Sequence, residues 1–386
     1  MSNTTVYLDN AATTPLDERV LETMLPLLRA GSGNPSSLHA FGVAASEAVE
    51  EARVSVAKFL GASPAEIYFT SGGTESDALA VFGLARANKE KRHIVISSVE
   101  HAAVYEAASR LEYEGYEVSR VPVDEHGLVD PGEFEAALRP DTALAAVVWA
   151  NNEIGTVQPI AELSSICAEK GIPFHSDAVQ AAGRSSLKVD EVPVSTLALS
   201  SHKLYGPQGV GALYVRDGVR VSPLQVGGGQ ESGLRSGTQN VAGIAGFGAA
   251  ARLAGEECEE RSRHEMELRD LLIEEATDIP GVSLNGHPEK RLSNNAHFSV
   301  EGIEAEGIVL LCDAMGYAIG SGSACSSGGH KASRVLLAMG QSEREAFSAV
   351  RVTVGKGNTR AEVEGFLEVF ARVVEQLRKL SPLQST

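Results

Sequence analysis

The chain has 386 residues, enough to bury a large core and to hold two domains. Asp plus Glu number 51 against 33 Lys plus Arg, and the formal charge of −18 argues against a nucleic-acid backbone or an anionic membrane surface as a direct partner. No apolar run approaches the roughly 20 residues that span a bilayer, and Met1-Ser2-Asn3-Thr4-Thr5 lacks the basic region and apolar core of a signal peptide, so a soluble cytoplasmic enzyme is expected.

Tyr7 to Thr14 (YLDNAATT) reads as a short strand running into a turn, and Gly33-Asn34-Pro35-Ser36-Ser37 as a loop. Ala45, Val49, Ala52, Val56 and Phe59 share one face of a helix over 44–60, with Gly61 just past its end. A strand over 67–70 leads through Ser71-Gly72-Gly73-Thr74-Glu75-Ser76 into a helical run over 77–87. Free N–H groups converge at such a junction and make an anion site, although a tight turn alone has the same sequence. The lysine of a P-loop and the glycine spacing of a dinucleotide fingerprint are both missing.

Strands follow at 93–97, 116–123, 143–149, 172–176, 196–200 and 211–215, with helices at 102–114, 131–139 and 160–169. This alternation predicts an α/β fold with a mostly parallel sheet covered on both faces. His101, Asn152, Asp177 and Lys203 recur at strand ends, where the ligand crevice of such a sheet lies. Beyond the glycine-rich stretch Gly227 to Gly233 and Arg235-Ser236-Gly237-Thr238, an alanine-rich helix from Val241 to about Glu260 leads towards a second, smaller α+β domain with strands at 296–300 and 350–354. The expected division is a large domain over 15–255 and a small one over 1–14 plus 256–386. Thr359 and Glu362 form a capping box for the last helix, whose stripe of Val363, Phe366, Phe370, Val373 and Leu377 is core.

The segment Leu199-Ser200-Ser201-His202-Lys203-Leu204-Tyr205-Gly206-Pro207 organises the rest. A lysine at the carboxyl end of a buried strand, with hydroxyls and a histidine beside it, suits a Schiff base to an aldehyde cofactor that carries a phosphate. A surface lysine in a loop is the plainer alternative. Such a cofactor, pyridoxal phosphate, needs a carboxylate at its ring nitrogen, and Asp177 in Phe174-His175-Ser176-Asp177-Ala178 suits that task if it is not simply a helix N-cap. Thr74, Ser200 and His202 are candidate phosphate donors, and His101 a flat group for the ring face that also moves protons.

The four cysteines, Cys167, Cys258, Cys312 and Cys325, are widely spaced with no CxxC pair, so neither a disulfide framework nor a metal site is expected. Cys325 stands apart in Ser321-Gly322-Ser323-Ala324-Cys325-Ser326-Ser327-Gly328-Gly329-His330, too rich in glycine and serine for helix or strand. A thiol on such a loop, about 321–333, is able to meet a ligand and act as a nucleophile, unless it is merely tolerated there.

The chain resembles the NifS/IscS-type cysteine desulfurases, fold-type-I pyridoxal phosphate enzymes of the class V aminotransferase group. The resemblance rests on YLDNAATTP (7–15), GNPSSLHAFG (33–42), FTSGGTESD (69–77), SSVEHAAV (97–104), NNEIGTVQPI (151–160), HSDAVQAAG (175–183), SSHKLYGPQGVGALYV (200–215), GGGQESGLRSGT (227–238) and SGSACSSG (321–328), in family order and spacing. It implies that Lys203 holds the cofactor, Asp177 pairs with the ring nitrogen, Gln180 and Asn152 reach the ring oxygen, and His101 stacks on the ring. It further implies that Gly73, Thr74, Ser200 and His202 bind phosphate, joined by Thr238 from the other subunit of a homodimer. Arg351 clamps the substrate carboxylate, with Asn152 beside it, and Cys325 accepts sulfur from L-cysteine as a persulfide, leaving L-alanine. The strand alternation around Arg351 and the geometry of a guanidinium agree with that role.

The same resemblance implies delivery of sulfur to an acceptor or iron–sulfur scaffold protein. The sequence departs from the family at His330-Lys331-Ala332-Ser333, where relatives often carry a leucine, a glutamate and a proline. A selenocysteine lyase, another enzyme of the superfamily, and a catalytically silent partner with this fold are the alternatives. Cys325 speaks against a transaminase, and the intact Lys203, Asp177, His101, Arg351 and Cys325 speak against a silent copy.

Overall fold

The computed structural model describes residues 5–31, 33–321 and 332–380. Among them thirteen strands run in chain order. β1 (Val6–Tyr7), β2 (Ile67–Thr70), β3 (His93–Ser97), β4 (Glu117–Val121) and β5 (Thr142–Ala146) come first. β6 (Phe174–Asp177), β7 (Thr196–Ser200), β8 (Gly211–Val215), β9 (Val282–Leu284) and β10 (Asn295–Val300) follow, then β11 (Tyr317–Ala318), β12 (Gly320–Ser321) and β13 (Ala349–Thr353).

Seven strands form the main sheet in the order β2-β8-β7-β6-β5-β3-β4. β7, β6, β5, β3 and β4 pair in parallel, and β8 pairs antiparallel with both β2 and β7. The order reverses between β3 and the block β5-β6-β7, so the loops after those strands open into one crevice. The mostly parallel sheet read from the alternating elements is the one observed. β3, β5, β7 and β8 are buried along their whole length, as strands covered on both faces are.

A second sheet, β12-β13-β10-β9, is antiparallel throughout. Ala296, Phe298 and Val300 on β10 and Val350 and Val352 on β13 turn one face onto a core closed by the helix Arg360–Leu380. Phe366 and Phe370 stack there with ring centroids 5.5 Å apart. The opposite face presents Asn295, His297, Thr353 and Arg351. The capping box before this helix is present: Thr359 N–H donates to Glu362 Oε2 at 2.7 Å, and Glu362 N–H donates to Thr359 Oγ1 at 3.3 Å.

Three element boundaries differ from the sequence reading by more than three residues. The helix expected over 44–60 begins at Ala40, where the His39 ring accepts from Gly42 N–H. The helix expected from 77 begins at Gly73, so the small-residue turn is its first turn. The helix from Val241 runs on to Thr277 and joins both cores: Phe247 and Leu253 lie in one, Leu268 and Leu272 in the other. Its charged middle does not end it, because Arg252–Glu256 and Arg261–Glu257 pair along the helix surface. At Gly248 a Cβ would lie 2.5 Å from Ala52 Cα, so glycine lets this helix press against Ala40–Leu60.

Candidate active site

β7 delivers Ser200 to the edge of the crevice, and one 3-10 turn, Ser201–Lys203, carries the lysine just beyond it. The turn is held open by Tyr205, whose φ of 63° reverses the chain at once. Lys203 Nζ donates to Ala11 O at 2.5 Å and Ala12 O at 2.6 Å. Gln180 Nε2 donates to the same Ala11 oxygen at 2.9 Å. His202 O accepts from Thr14 N–H and Thr14 Oγ1, and His202 Nδ1 lies 3.1 Å from Thr13 Oγ1. The segment Asp9–Thr14 is thus the wall on which Lys203, Gln180 and His202 converge. Burial and the neighbouring Lys203 push the His202 ring down to about 4, so it is neutral at neutral pH.

Asp177 ends β6 on the floor of the crevice, 5% exposed, and its Oδ1 accepts from Val179 N–H at 2.9 Å. Burial raises its pKa, while His101, Val179 N–H and Lys203 work against that rise by favouring the charged form. His101 caps the helix Ala102–Tyr113, its Nδ1 accepting from Ala103 N–H at 3.2 Å. A ligand atom of His101 lies within 4.8 Å of one on Asp177 and one on Asp77. His101 is thus a helix cap that also stands beside Asp177, whereas Asp177 Oδ1 accepts from Val179 N–H.

At the other end of the crevice the helix Gly73–Ala87 starts with no side-chain cap, so its dipole end faces outward. A Cβ at Gly73 would lie 2.8 Å from Val179 Cγ2 and 3.6 Å from Ser200 Cβ, so the backbone here lines a cradle that a side chain would fill. A Cβ on Gly211 would meet Leu199 O at 2.6 Å and Gly72 C at 2.7 Å, so glycine is what lets this turn lie against β7 and β8. Thr74 is exposed at the helix start, and Ser200 is buried beside it.

Arg351 is the third fixed point. It is 2% exposed on β13, its Nη2 donating to Asp9 Oδ1 at 2.8 Å and its Nη1 to Asn152 O at 2.9 Å. Its buried Nε–H has no partner among the described residues. A guanidinium so oriented, with a donor to spare, suits a carboxylate.

These observations test pyridoxal phosphate, the cofactor that the resemblance implies, and the residues fit it. A part-buried lysine amine, a buried carboxylate, a neutral histidine and an uncapped helix start with its glycine cradle are the donor set of an aldehyde, a ring nitrogen and a phosphate. Lys203, Asp177, Gln180, His101, His202, Ser200 and Gly73 stand around one crevice, and Arg351 reaches it through Asn152 and the Asp9 wall. Thr238 is exposed, on the loop that Arg235 ties to Glu75 at 2.7 Å. Cys325 lies outside the described residues.

Sequence reasoning passed over several groups. Asp9 was quoted only as part of a motif, yet it holds Arg351. Glu153, beside Asn152, accepts a hydrogen bond from Ser333 Oγ. Arg334 donates to Ser98 O at 3.0 Å and Glu100 O at 2.6 Å and lies 3.8 Å from the Tyr105 ring centroid. Ser333 and Arg334 follow the cysteine segment in sequence and fasten to residues that flank His101 and Asn152. Asp77 and Glu100 are buried carboxyls one layer behind Asp177. Their acidic type in otherwise apolar or small-residue runs was the one available signal.

The chain belongs to the class-V aminotransferase family, which it matches over residues 6–366. Among named relatives it is similar to the cysteine desulfurase IscS of Methanosarcina thermophila, at 47% identity over 99% of this chain and 95% of that protein. Among solved structures it is similar to a NifS-like protein, at 38% identity and a TM-score of 0.91 over 97% of this chain and all of that one. It is also similar to SspA in complex with cysteine, at 36% identity and a TM-score of 0.81 over 92% of this chain and 99% of that one.

Proposed function

We propose that this chain is a pyridoxal phosphate-dependent cysteine desulfurase, converting L-cysteine to L-alanine and passing the sulfur to Cys325 as a persulfide. The observation that carries the reading is Arg351, buried beside the Lys203 wall with an Nε–H to spare, where an amino acid's carboxylate and amine are bound together. The cysteine-bound neighbour and the relatives named cysteine desulfurase support the same substrate.

Lys203, Asp177, Gln180, Asn152 and His101 hold the ring of the cofactor, and Gly73, Thr74, Ser200 and His202 its phosphate. Bound pyridoxal phosphate supplies an electron sink for the substrate's α-carbon. Asp177, kept ionised, holds the ring nitrogen protonated. Arg351 binds the substrate carboxylate and so fixes the α-hydrogen towards Lys203, whose amine takes that proton. His101 carries protons at the ring face. The Cys325 thiolate attacks the substrate sulfur: a sulfur–sulfur bond forms, the carbon–sulfur bond breaks with its electron pair left on carbon, and that carbon takes up a proton to give alanine.

The enzyme works as a homodimer in the cytoplasm, with Thr238 completing the partner's phosphate site, and the persulfide goes to a sulfur acceptor, of which an iron–sulfur scaffold protein is our choice. No described helix is long and apolar enough to cross a membrane. Its units are a large domain over 15–255 and a small one over 1–14 plus 256–386, a division supported by the two separate apolar cores. The test is release of alanine and sulfide from L-cysteine with a reductant, in the parent and in Cys325→Ala. Equal alanine and sulfide from the parent and almost none from the variant support the persulfide route. An undiminished variant removes Cys325 from it and favours a lyase.

A further inference from the structure

Behind Asp177 lies a second buried carboxyl to which the reaction above gives no task. Asp77, in the second turn of the helix Gly73–Ala87, is 1% exposed. Its Oδ1 is 3.2 Å from His175 Nε2, and His175 Nδ1 is 2.9 Å from Thr196 Oγ1. His175 is fully buried, two residues before Asp177 on β6. Asp77, His101 and Asp177 each bring a polar atom within 4.8 Å of the others.

Two carboxylates this close, both out of water, do not both ionise at neutral pH; such pairs share a proton. Their surroundings decide which one keeps it. Asp177 accepts from Val179 N–H and is drawn towards the charged form by His101 and Lys203. For Asp77, burial comes first, and Asp177 and, once ionised, Glu100 add to it, all raising its pKa well above the usual range. His175 brings no compensating charge, because burial pushes its ring down to about 3. The titratable groups that face Asp77 are therefore His175 and Asp177 from β6, with Glu100 and His101 from the segment after β3.

We infer that Asp77 is a positioning residue that holds the proton of this pair, leaving Asp177 as the ionised member beneath the cofactor ring, with His175 and Thr196 fixing Asp77 in place. In the matching tautomer the acid proton rides on Asp77 Oδ1 and is donated to His175 Nε2, while His175 Nδ1–H donates to Thr196 Oγ1. The inference rests on the cofactor site proposed above.

The test compares holoenzyme of the parent and of Asp77→Asn, an isostere of the neutral acid. Two readouts apply: the dissociation constant of pyridoxal phosphate with the bound chromophore's absorbance, and the unfolding midpoint between pH 5 and pH 8. The sign follows from linkage. A folded-state pKa raised above the unfolded one gives stability that is full at low pH and lost as pH rises towards the folded value. The variant lacks that loss, so its midpoint gains on the parent's as pH rises, while its affinity for the cofactor stays within about threefold. A folded variant that binds pyridoxal phosphate about tenfold or more weakly shows that Asp77 acts as an anion and overturns the inference. Parallel midpoint curves for parent and variant overturn it too. Where the asparagine does not fold, Asp77→Ser answers the same question. Neither readout needs turnover, so a parent that releases no sulfur from L-cysteine counts against the proposed reaction and leaves this comparison intact.

Discussion

Arg351 Nη2 donates to Asp9 Oδ1 over 2.8 Å, joining β13 to the wall that also holds Lys203. The pair explains how a guanidinium only 2% exposed stays in place: Asp9 takes one arm, Asn152 O another, and Nε–H is left without a partner among the described residues, the donor that the proposed function gives to the substrate carboxylate. Arg351→Gln removes the charge-assisted bonds to substrate and also strands Asp9. Each such bond contributes about 1.5–3 kcal/mol, so kcat/KM for L-cysteine falls by roughly tenfold to a hundredfold or more. Asp9→Asn keeps the guanidinium charged but loosens it, so KM rises more than kcat falls. Steady-state kinetics of the two variants decide the matter; equal losses of kcat in both would remove the positioning role of Asp9.

Lys203 donates to two backbone oxygens, Ala11 O and Ala12 O, at the edge of the crevice that Asp177 floors. An amine held this way is fixed in position, and in its deprotonated form it can attach an aldehyde and take up a proton, as the proposed reaction requires. Lys203→Ala removes both functions. The purified variant is expected to show no cofactor fixed by borohydride reduction, and turnover lower by about a thousandfold or more. Retention of borohydride-fixed cofactor in Lys203→Ala would point to a different lysine.

Much of this site was legible because parallel strands end where ligands bind. Lys203 and Asp177 each follow a short apolar run, and that pattern needs no tertiary information. Asp9 was not legible in the same way: its partner lies 342 positions away, and no local period links an acid in a strand-to-turn segment to an arginine on another sheet. Asp77 was hidden by its helix, since one acid in a small-residue turn has no marked face until β6 is laid beside it. The helix Val241–Thr277 was cut short for a physical reason as well. The alanine-rich composition that marked it stops near Glu260, whereas the charged residues there pair along the helix and carry it between two cores. Cys325 was singled out by the glycine- and serine-rich composition of its segment and by the resemblance of SGSACSSG, and its placement lies outside the described residues.

Glu231 takes a left-handed backbone, φ 48°, followed by Ser232 at 53°. Its side chain compensates for that strain. Oε2 accepts from Phe69 N–H and Arg53 Nη1, both at 2.8 Å, and Oε1 from Arg53 Nη2 at 3.0 Å and Gln239 Nε2 at 3.1 Å. Burial raises its pKa, but Arg53, Phe69 N–H and Gln239 together outweigh burial and the result is a lowered value. Removing one partner of such a pair leaves a buried charge, so Glu231→Ala is expected to cost about 3–5 kcal/mol in urea unfolding. The loop carrying Thr238 starts from this anchor, so cofactor affinity should weaken in the same variant. A loss below about 1 kcal/mol would mean the pair contributes no more than an exposed one.

Glu100 gives the pH dependence of stability a definite direction. It is 1% exposed, its Oε1 accepting from Ser97 Oγ at 2.5 Å and Val148 N–H at 2.8 Å, while Oε2 has no partner among the described residues. Burial pushes its pKa up to about 8, against the pull of Ser97 and Val148, with Asp177 adding to the rise and Arg334 reducing it. The folded chain therefore keeps a proton that the unfolded chain releases from the ordinary carboxylate range upward. Stability is full below that range and falls as pH climbs towards 8, by at most about 1.4 kcal/mol per pH unit for one group. Glu100→Gln keeps the shape of the neutral acid and removes its share of the slope, so urea midpoints of parent and variant should diverge from pH 5 to pH 8 in the variant's favour. Arg334→Ala takes away a charge that favours ionised Glu100, so the window in which stability falls should extend to higher pH than in the parent. A Glu100→Gln protein that tracks the parent at every pH would place the proton elsewhere and leave the slope to other buried acids.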